Sequence, residues 1–263
     1  DCPEVVGLQE VSTRVYELLE ELPAVDECGY ELVLPKPKAI DHELVLTTLP
    51  ADGTKVVKLS GFRTASRVRL ESDLGPVVLV VTHQDGDLDP DEPGADATCK
   101  KKTCPAVCRP GTPFLACQTT VAADLAERVG PERAVRILMG DFNVTPASGR
   151  YQMLVEDDWI DTHLAGGNPE CDPGTGTGCT SGRQDDAVDD LRDPNALQSQ
   201  RIDYIFVKPP RGCEPVFDPA ADADGDGLGT GIWDDPVVDG PGGIVFVSDH
   251  SGLSLDLSCE DGT

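Results

Sequence analysis

The chain has 263 residues, 39% of them apolar, which is enough for one large single-core domain or two small ones. No apolar run reaches membrane-spanning length, so a transmembrane helix is excluded and a soluble mature chain is expected. The formal net charge of -27, from 48 acidic against 21 basic side chains, repels polyanions at long range, although salt screens that field beyond about 10 Å.

The chain opens on DCPEVVGLQEV without a signal peptide, as a processed or trimmed protein would. VVGLQE is a short apolar run closed by Glu10. Val15, Leu18, Leu19 and Leu22 then fall on one face of a helix that begins after Ser12 and stops at Pro23. YELVLP, ELVLTTL and VVLVVTH follow as strands, the last closed by His83. Residues 84–117 form an irregular, Cys-rich insertion holding Cys99, Cys104, Cys108 and Cys117. Its adjacent lysines, Lys100 to Lys102, make either a solvated loop tip or a local contact for an anion or headgroup. Val121, Leu125 and Val129 form a second helical stripe, closed by Gly130-Pro131.

AVRILMG is the next strand, and Asp141 and Asn143 stand at its exit. Irregular stretches at 164–200 and 209–243 flank RIDYIFV, a strand carrying Asp203. IVFVSDH ends in Asp249 and His250. Stretches of this length are functional or cross-linked more often than idle. With no repeat and no dividing linker, one domain spanning 1–263 is expected.

Ten cysteines among Gly- and Pro-rich loops indicate disulfides and an oxidising compartment, so a secreted, extracellular or periplasmic location is expected. A zinc site in the Cys99 to Cys117 cluster is the rival, but no CxxC pair or nearby histidine supports it. Connectivity stays open. In DPAADADGDGLGTGIWDD, residues 218–235, Asp222, Asp224 and Asp226 alternate before Gly227 and supply oxygens to one point, as in a calcium loop. The pattern resembles EF-hand-like and thrombospondin-type repeats. It departs at Trp233, where an EF-hand has glutamate, and Asp234 or Asp235 takes that place. A structural Ca²⁺ would stiffen this loop; the plain alternative is an acidic, disordered one.

Glu10, His83, Asp141, Asn143, Asp249 and His250 stand where apolar strands end, and Asp203 lies inside RIDYIFV. Any one of them is an ordinary turn or cap residue. Together they mark the edge where a rigid sheet presents catalytic groups. LQEV, VTH, GDFN, RIDYIF and SDH, in this order, resemble the endonuclease/exonuclease/phosphatase superfamily, which includes deoxyribonucleases, apurinic endonucleases, bacterial sphingomyelinases and inositol polyphosphate phosphatases. The resemblance runs from about Val5 to Leu257. It implies a four-layer α/β sandwich, two mixed β-sheets packed face to face with helices outside.

The resemblance also implies roles. Clustered carboxylates at Glu10, Asp141, Asp203 and Asp249 would repel one another in a partly dry cleft unless a cation intervened, and oxygen ligands suit Mg²⁺ or Mn²⁺. Glu10 is expected to hold this metal, with Asp249 close to the same charge. Asp141 would orient or deprotonate the attacking water, and Asn143 would hold that water or a phosphate oxygen in line. His250 would contact the phosphate, and Asp203 would fix its tautomer. His83 resembles the second histidine of the deoxyribonuclease and sphingomyelinase branches, which can protonate the leaving oxygen. Apurinic endonucleases lack it. His42 and His163 match no motif.

Members of the superfamily carry an asparagine on a first strand well upstream of the LQE glutamate, and that strand is expected to precede this sequence. The resulting expectation is a secreted, monomeric, metal-dependent phosphoric ester hydrolase that cleaves a phosphodiester by in-line attack of water. The acidic surface and His83 favour a lipid headgroup or small-molecule substrate, with a secreted deoxyribonuclease as the alternative. A different class, an inactive calcium-stabilised binding protein, is suggested only by the absent first strand.

Overall fold

The computed structural model describes residues 2–33, 42–60, 63–86, 108, 113–128, 130–183, 190–217, 230–233, 243 and 245–261. The N-terminal part comprises strand β1 (Val5–Leu8), helices α1 (Thr13–Glu20) and α2 (Pro23–Cys28), and strands β2 (Glu31–Leu32) and β3 (Leu44–Thr47). Next come β4 (Ala51–Lys58), β5 (Thr64–Ser72), β6 (Gly75–His83), α3 (Phe114–Glu127), β7 (Val135–Asp141), α4 (Gly149–Glu156), β8 (Ile160–Asp161) and α5 (Thr162–Ala165). The chain closes with β9 (Asp203–Lys208), β10 (Cys213–Phe217), β11 (Gly231–Trp233), β12 (Gly252–Ser254) and β13 (Leu257–Asp261).

A mixed sheet of six strands, ordered β4-β5-β6-β7-β9-β8, organises these elements. β6 and β7 are parallel, with α3 between them in sequence, as a parallel pair requires a crossover; the other neighbours are antiparallel. Alternation along the strands separates two cores. Val80, Leu138, Tyr204 and Phe206 pack beneath α3 and α4 against Val121, Leu125, Tyr151 and Leu154. Val77, Leu79, Val81, Val135 and Val207 face the other way, toward Leu44, Leu46, Tyr16 and Val25 and the flanking Phe217 and Leu257. The facing layer is made of antiparallel pieces, β1-β3-β2, β10-β13 and β11-β12, so the expected α/β sandwich is present with its mixed sheet as the continuous one.

Local chemistry accounts for the departures from expectation. Pro23 does not only end α1: it starts α2 at the first helical position, where its missing N–H costs nothing. The apolar stripe of α1 is split, because Tyr16 is buried and Leu19 packs inward while Val15, Leu18 and Leu22 are exposed. β4 and β5 had no clear apolar signal, since Lys and Arg alternate through them. IVFVS forms no strand over its described residues: the N–H groups of Val245 and Phe246 both donate to the Leu191 carbonyl, at 2.7 and 3.0 Å, and Val247 is 82% exposed.

Disulfides Cys2–Cys28, Cys108–Cys117, Cys171–Cys179 and Cys213–Cys259 pair every cysteine among the described residues. Cys108 and Cys117 are therefore not thiolate ligands for zinc; Cys99 and Cys104 lie outside the described residues, as does most of the 84–117 insertion. Among the described residues no helix is long and apolar enough to cross a membrane.

A buried ion-pair network anchors the segment that carries Cys171–Cys179. The Arg201 side chain, 1% exposed, donates to Asp161 Oδ2 at 2.7 Å and to both Glu170 oxygens at 2.7 and 2.6 Å. Its guanidinium lies 4.8 Å from the Tyr204 ring centroid, and Tyr151 donates its hydroxyl to Asp161. Removing one partner of such a pair strands the others. Arg201→Ala should therefore lower unfolding free energy by about 3 kcal/mol, read as a fall in denaturant midpoint; an unchanged midpoint would show that the network contributes nothing net.

Candidate active site

His83, Asp141 and Asp203 are direct neighbours across three strands: His83 pairs with Asp141 in the β6–β7 register, and Asp141 with Asp203 in the β7–β9 register. Two residues further into the sheet the same pleat carries Val81, Met139 and Ile205. Side chains two apart on a strand share a face, so the apolar inter-sheet face turns polar at this edge. Gly140 makes the close strand approach possible. Its φ is 131°, and a Cβ there would meet the Thr82 carbonyl oxygen at 2.0 Å.

Asp141, 6% exposed, accepts from the Asn143 backbone N–H at 2.7 Å and from its Nδ2 at 2.9 Å. Asn143 is in the left-handed region at φ 53°, and Nδ2 also donates to the Gln84 carbonyl at 3.0 Å. That conformation turns the Asn143 amide back on Asp141. On the other side, His83 Nε2 lies 3.3 Å from Asp141 Oδ2. Arg63 Nη1 is 2.6 Å from His83 Nδ1. A guanidinium has only donors, so Nδ1 accepts and the ring proton sits on Nε2, toward Asp141.

The second pair is His250 and Asp203. His250 Nδ1 is 2.9 Å from Asp203 Oδ2, and the Asp203 backbone N–H donates to Thr180 Oγ1 at 3.1 Å. His250 Nε2 lies 3.5 Å from Ser181 Oγ and 3.9 Å from Asp249 Oδ2. Burial works against a charged imidazole here, but the hydrogen bond to Asp203 and the negative charges of Asp203, Asp141 and Asp249 together outweigh it and push His250 up to about 9. Asp203 is pushed up by its own burial first and then by the negative charge of Asp141, with the His250 bond opposing.

Glu10 stands apart from this row. Its backbone is left-handed at φ 56°, its side chain is 68% exposed, and Oε1 lies 3.7 Å from His83 Nδ1 and 3.8 Å from Arg63 Nη1. No hydrogen bond or ion pair among the described residues joins Glu10 to Asp249. The groups that converge most closely are Asp141, Asp203 and His250, whose ligand atoms lie within 4.8 Å of one another. Hard oxygen donors predominate in this set and around it, which suits Mg²⁺ or Mn²⁺ better than a thiophilic ion. Asp222, Asp224, Asp226 and Asp234, the expected calcium ligands, lie outside the described residues, as do Lys100 to Lys102.

Several supporting side chains carried no recognisable motif. Arg63 precedes a Lys- and Arg-rich strand and has an ordinary surface sequence context. Glu43, 5% exposed, accepts from the hydroxyls of Thr64 and Ser66, and burial raises its pKa. Arg150, 4% exposed, donates to Thr119 Oγ1, the Asp85 carbonyl, Gln84 Oε1 and the Phe142 carbonyl, tying the exits of β6 and β7 together. Only the three-dimensional pairing of these loops reveals their purpose.

Acidic groups and imidazoles held at one edge of an α/β sandwich are the equipment of a phosphoric ester hydrolase. The chain belongs to the Endonuclease/Exonuclease/phosphatase family, whose model matches residues 3–250. Its fold is shared with D. rerio TDP2 complexed with a single-strand DNA product: 15% identity, TM-score 0.61, covering 97% of this chain and 86% of that one. A mannosyl-6-phosphatase of Bacteroides thetaiotaomicron is 18% identical with TM-score 0.63, over 97% of this chain and 85% of that one. An endonuclease/exonuclease/phosphatase of Beutenbergia cavernae is 21% identical with TM-score 0.54, over 98% and 63%. No curated protein matches the chain in sequence.

The His250–Asp203 pair has a direct signature in metal-free protein. A folded pKa above the ordinary 6.5 keeps the imidazolium through neutral pH, and any stability from this bond is lost as pH rises through about 9. An NMR titration should show His250 deprotonating at about 9, well above the ordinary imidazole value, and Asp203→Asn should bring it down. Titration of wild-type His250 at or below the ordinary value would contradict the pairing.

Proposed function

We propose that the chain is a secreted, divalent-metal-dependent phosphodiesterase that hydrolyses a small or lipid phosphodiester by in-line attack of water. The observation that carries this reading is the row across β6, β7 and β9, which sets Asp141 between His83 and the Asp203–His250 pair. Glu10 would hold Mg²⁺ or Mn²⁺ with Asp249 nearby. When bound, the ion supplies positive charge that neutralises the phosphate and polarises its P–O bonds.

Asp141, fixed through both oxygens by Asn143, orients the attacking water and accepts its proton as the new P–O bond forms. Asn143 fixes that carboxylate so little reorganisation is needed at the moment of attack. His83, held by Arg63, steadies Asp141 from the other side. His250, an imidazolium through neutral pH, presents Nε2–H to a phosphate oxygen, where negative charge builds as the ester oxygen leaves. Asp203 keeps the imidazole in that orientation.

Fold likeness leaves the substrate open, because one scaffold carries many chemistries. The charge of -27 supports a substrate with few phosphates. Proteins that grip a duplex match many phosphates with Lys and Arg and lose affinity steeply as salt rises. Four disulfides among the described residues are compatible with an extracellular location.

The test is a panel of headgroup diesters, aryl phosphodiesters, phosphomonoesters and plasmid DNA. Chelation should abolish hydrolysis, and Mg²⁺ or Mn²⁺ should restore it. Asp141→Asn and His250→Ala should each lower kcat by at least ~10²-fold, with diesters turned over faster than DNA. Full activity in excess chelator would overturn the metal requirement, and rapid nicking of DNA with diesters left intact would make this a deoxyribonuclease.

A further inference from the structure

We infer that Gln198 is a positioning residue for His250, an inference that rests on the phosphoric ester hydrolase reading above. Gln198 is 1% exposed, and its amide makes three hydrogen bonds. Oε1 accepts from the Arg183 backbone N–H at 3.1 Å, while Nε2 donates to the Asp249 carbonyl at 3.0 Å and to Ser251 Oγ at 3.1 Å. Asp249 and Ser251 are the two chain neighbours of His250. One buried amide therefore clamps the backbone before the imidazole and the side chain after it.

The clamp matters because no strand holds this segment. Residues 245–250 have no sheet partner beyond the single bridge of His250 with Ser181. The segment is fixed instead from one side. Ser251 N–H donates to the Thr180 carbonyl at 2.8 Å, and the Arg183 guanidinium lies 3.4 Å over the Phe246 ring. Thr180 and Ser181 in turn donate to the Gln200 carbonyl at 2.7 and 2.9 Å. Residues 180–183 and 198–200 thus form a small platform, and Gln198 is its side-chain tie to both neighbours of His250, beside the backbone contacts of Thr180 and Ser181. The platform also carries Thr180, whose hydroxyl accepts the Asp203 N–H. Both members of the His250–Asp203 pair are referenced to the same piece of backbone.

An amide is required at this position because the clamp needs an acceptor at one end and two donated hydrogens at the other. Gln198→Met keeps the length and removes all three bonds. Gln198→Glu keeps the acceptor toward Arg183 but turns the other end into an oxygen facing the Asp249 carbonyl. A displaced catalytic group lowers the rate of the chemical step without altering substrate binding elsewhere, so the expected result in both variants is a fall in kcat of about 10- to 100-fold with KM within about twofold.

The second readout needs no substrate: the Nδ1–H proton of His250, observed by NMR at low temperature in metal-free protein, should be sharp in the wild type. It should be shifted or broadened in both variants. A folded Gln198→Met protein with wild-type kcat and an unmoved His250 proton would overturn the inference. If that variant does not fold, Ser251→Ala removes one of the donated bonds and should shift both readouts less, in the same direction; no shift there would overturn it equally. If the wild type hydrolyses nothing in the panel, the functional reading fails, and the proton resonance alone decides the positioning claim.

Discussion

Three strands of the mixed sheet end in register, and everything at the active edge depends on it. The pleat that turns Val81 and Met139 toward the facing layer, with Ile205 in register beside them, sets His83, Asp141 and Asp203 side by side two residues nearer the edge. Neighbouring strands are about 4.8 Å apart, so two carboxylates are held at close quarters where little water reaches them. Repulsion between them is the physical constraint the site must answer. It does so with one imidazole per carboxylate: His83 flanks Asp141, and His250 flanks Asp203. A divalent cation held by Glu10 would complete the compensation and couple it to a phosphate.

The two halves of the site are supported differently. His83, Asp141 and Asp203 stand on strands whose ladders and two cores fix them, and Arg150 stitches the loops just beyond. His250 stands on irregular backbone held by side chains and by a few isolated backbone hydrogen bonds. Arg201, Glu170 and Asp161 anchor the loop that leads to Thr180 and Ser181, and Gln198 ties that loop to Asp249 and Ser251. Stability at a distance from the chemistry and geometry at the imidazole are therefore linked through one platform. A sequence change in 166–183 or 190–200 can reach the active edge without touching it.

Much of this organisation was legible in the sequence. The apolar runs VVLVVTH, AVRILMG and RIDYIFV carry their polar residues at the ends that share an edge, and the motifs LQEV, GDFN and SDH fixed the family. What could not be read was the support. Arg63 and β5 sit in a Lys- and Arg-rich stretch whose alternation is masked because Arg67 is itself buried. IVFVS has the composition of a strand, yet both of its first described N–H groups turn to Leu191, a partner some fifty residues away that no local pattern announces. Gln198 is one glutamine among several, distinguished only by where the fold brings Arg183, Asp249 and Ser251.

We propose that carboxylates at the strand ends form one divalent-metal centre. Calorimetric titration with Mn²⁺, at a salt concentration that screens the acidic surface, tests it most directly. The expected isotherm shows one tight site per chain in the wild type, strongly weakened in Glu10→Gln, with the fold intact by circular dichroism. An isotherm in Glu10→Gln that matches the wild type would place the metal elsewhere and rule out a centre that includes Glu10.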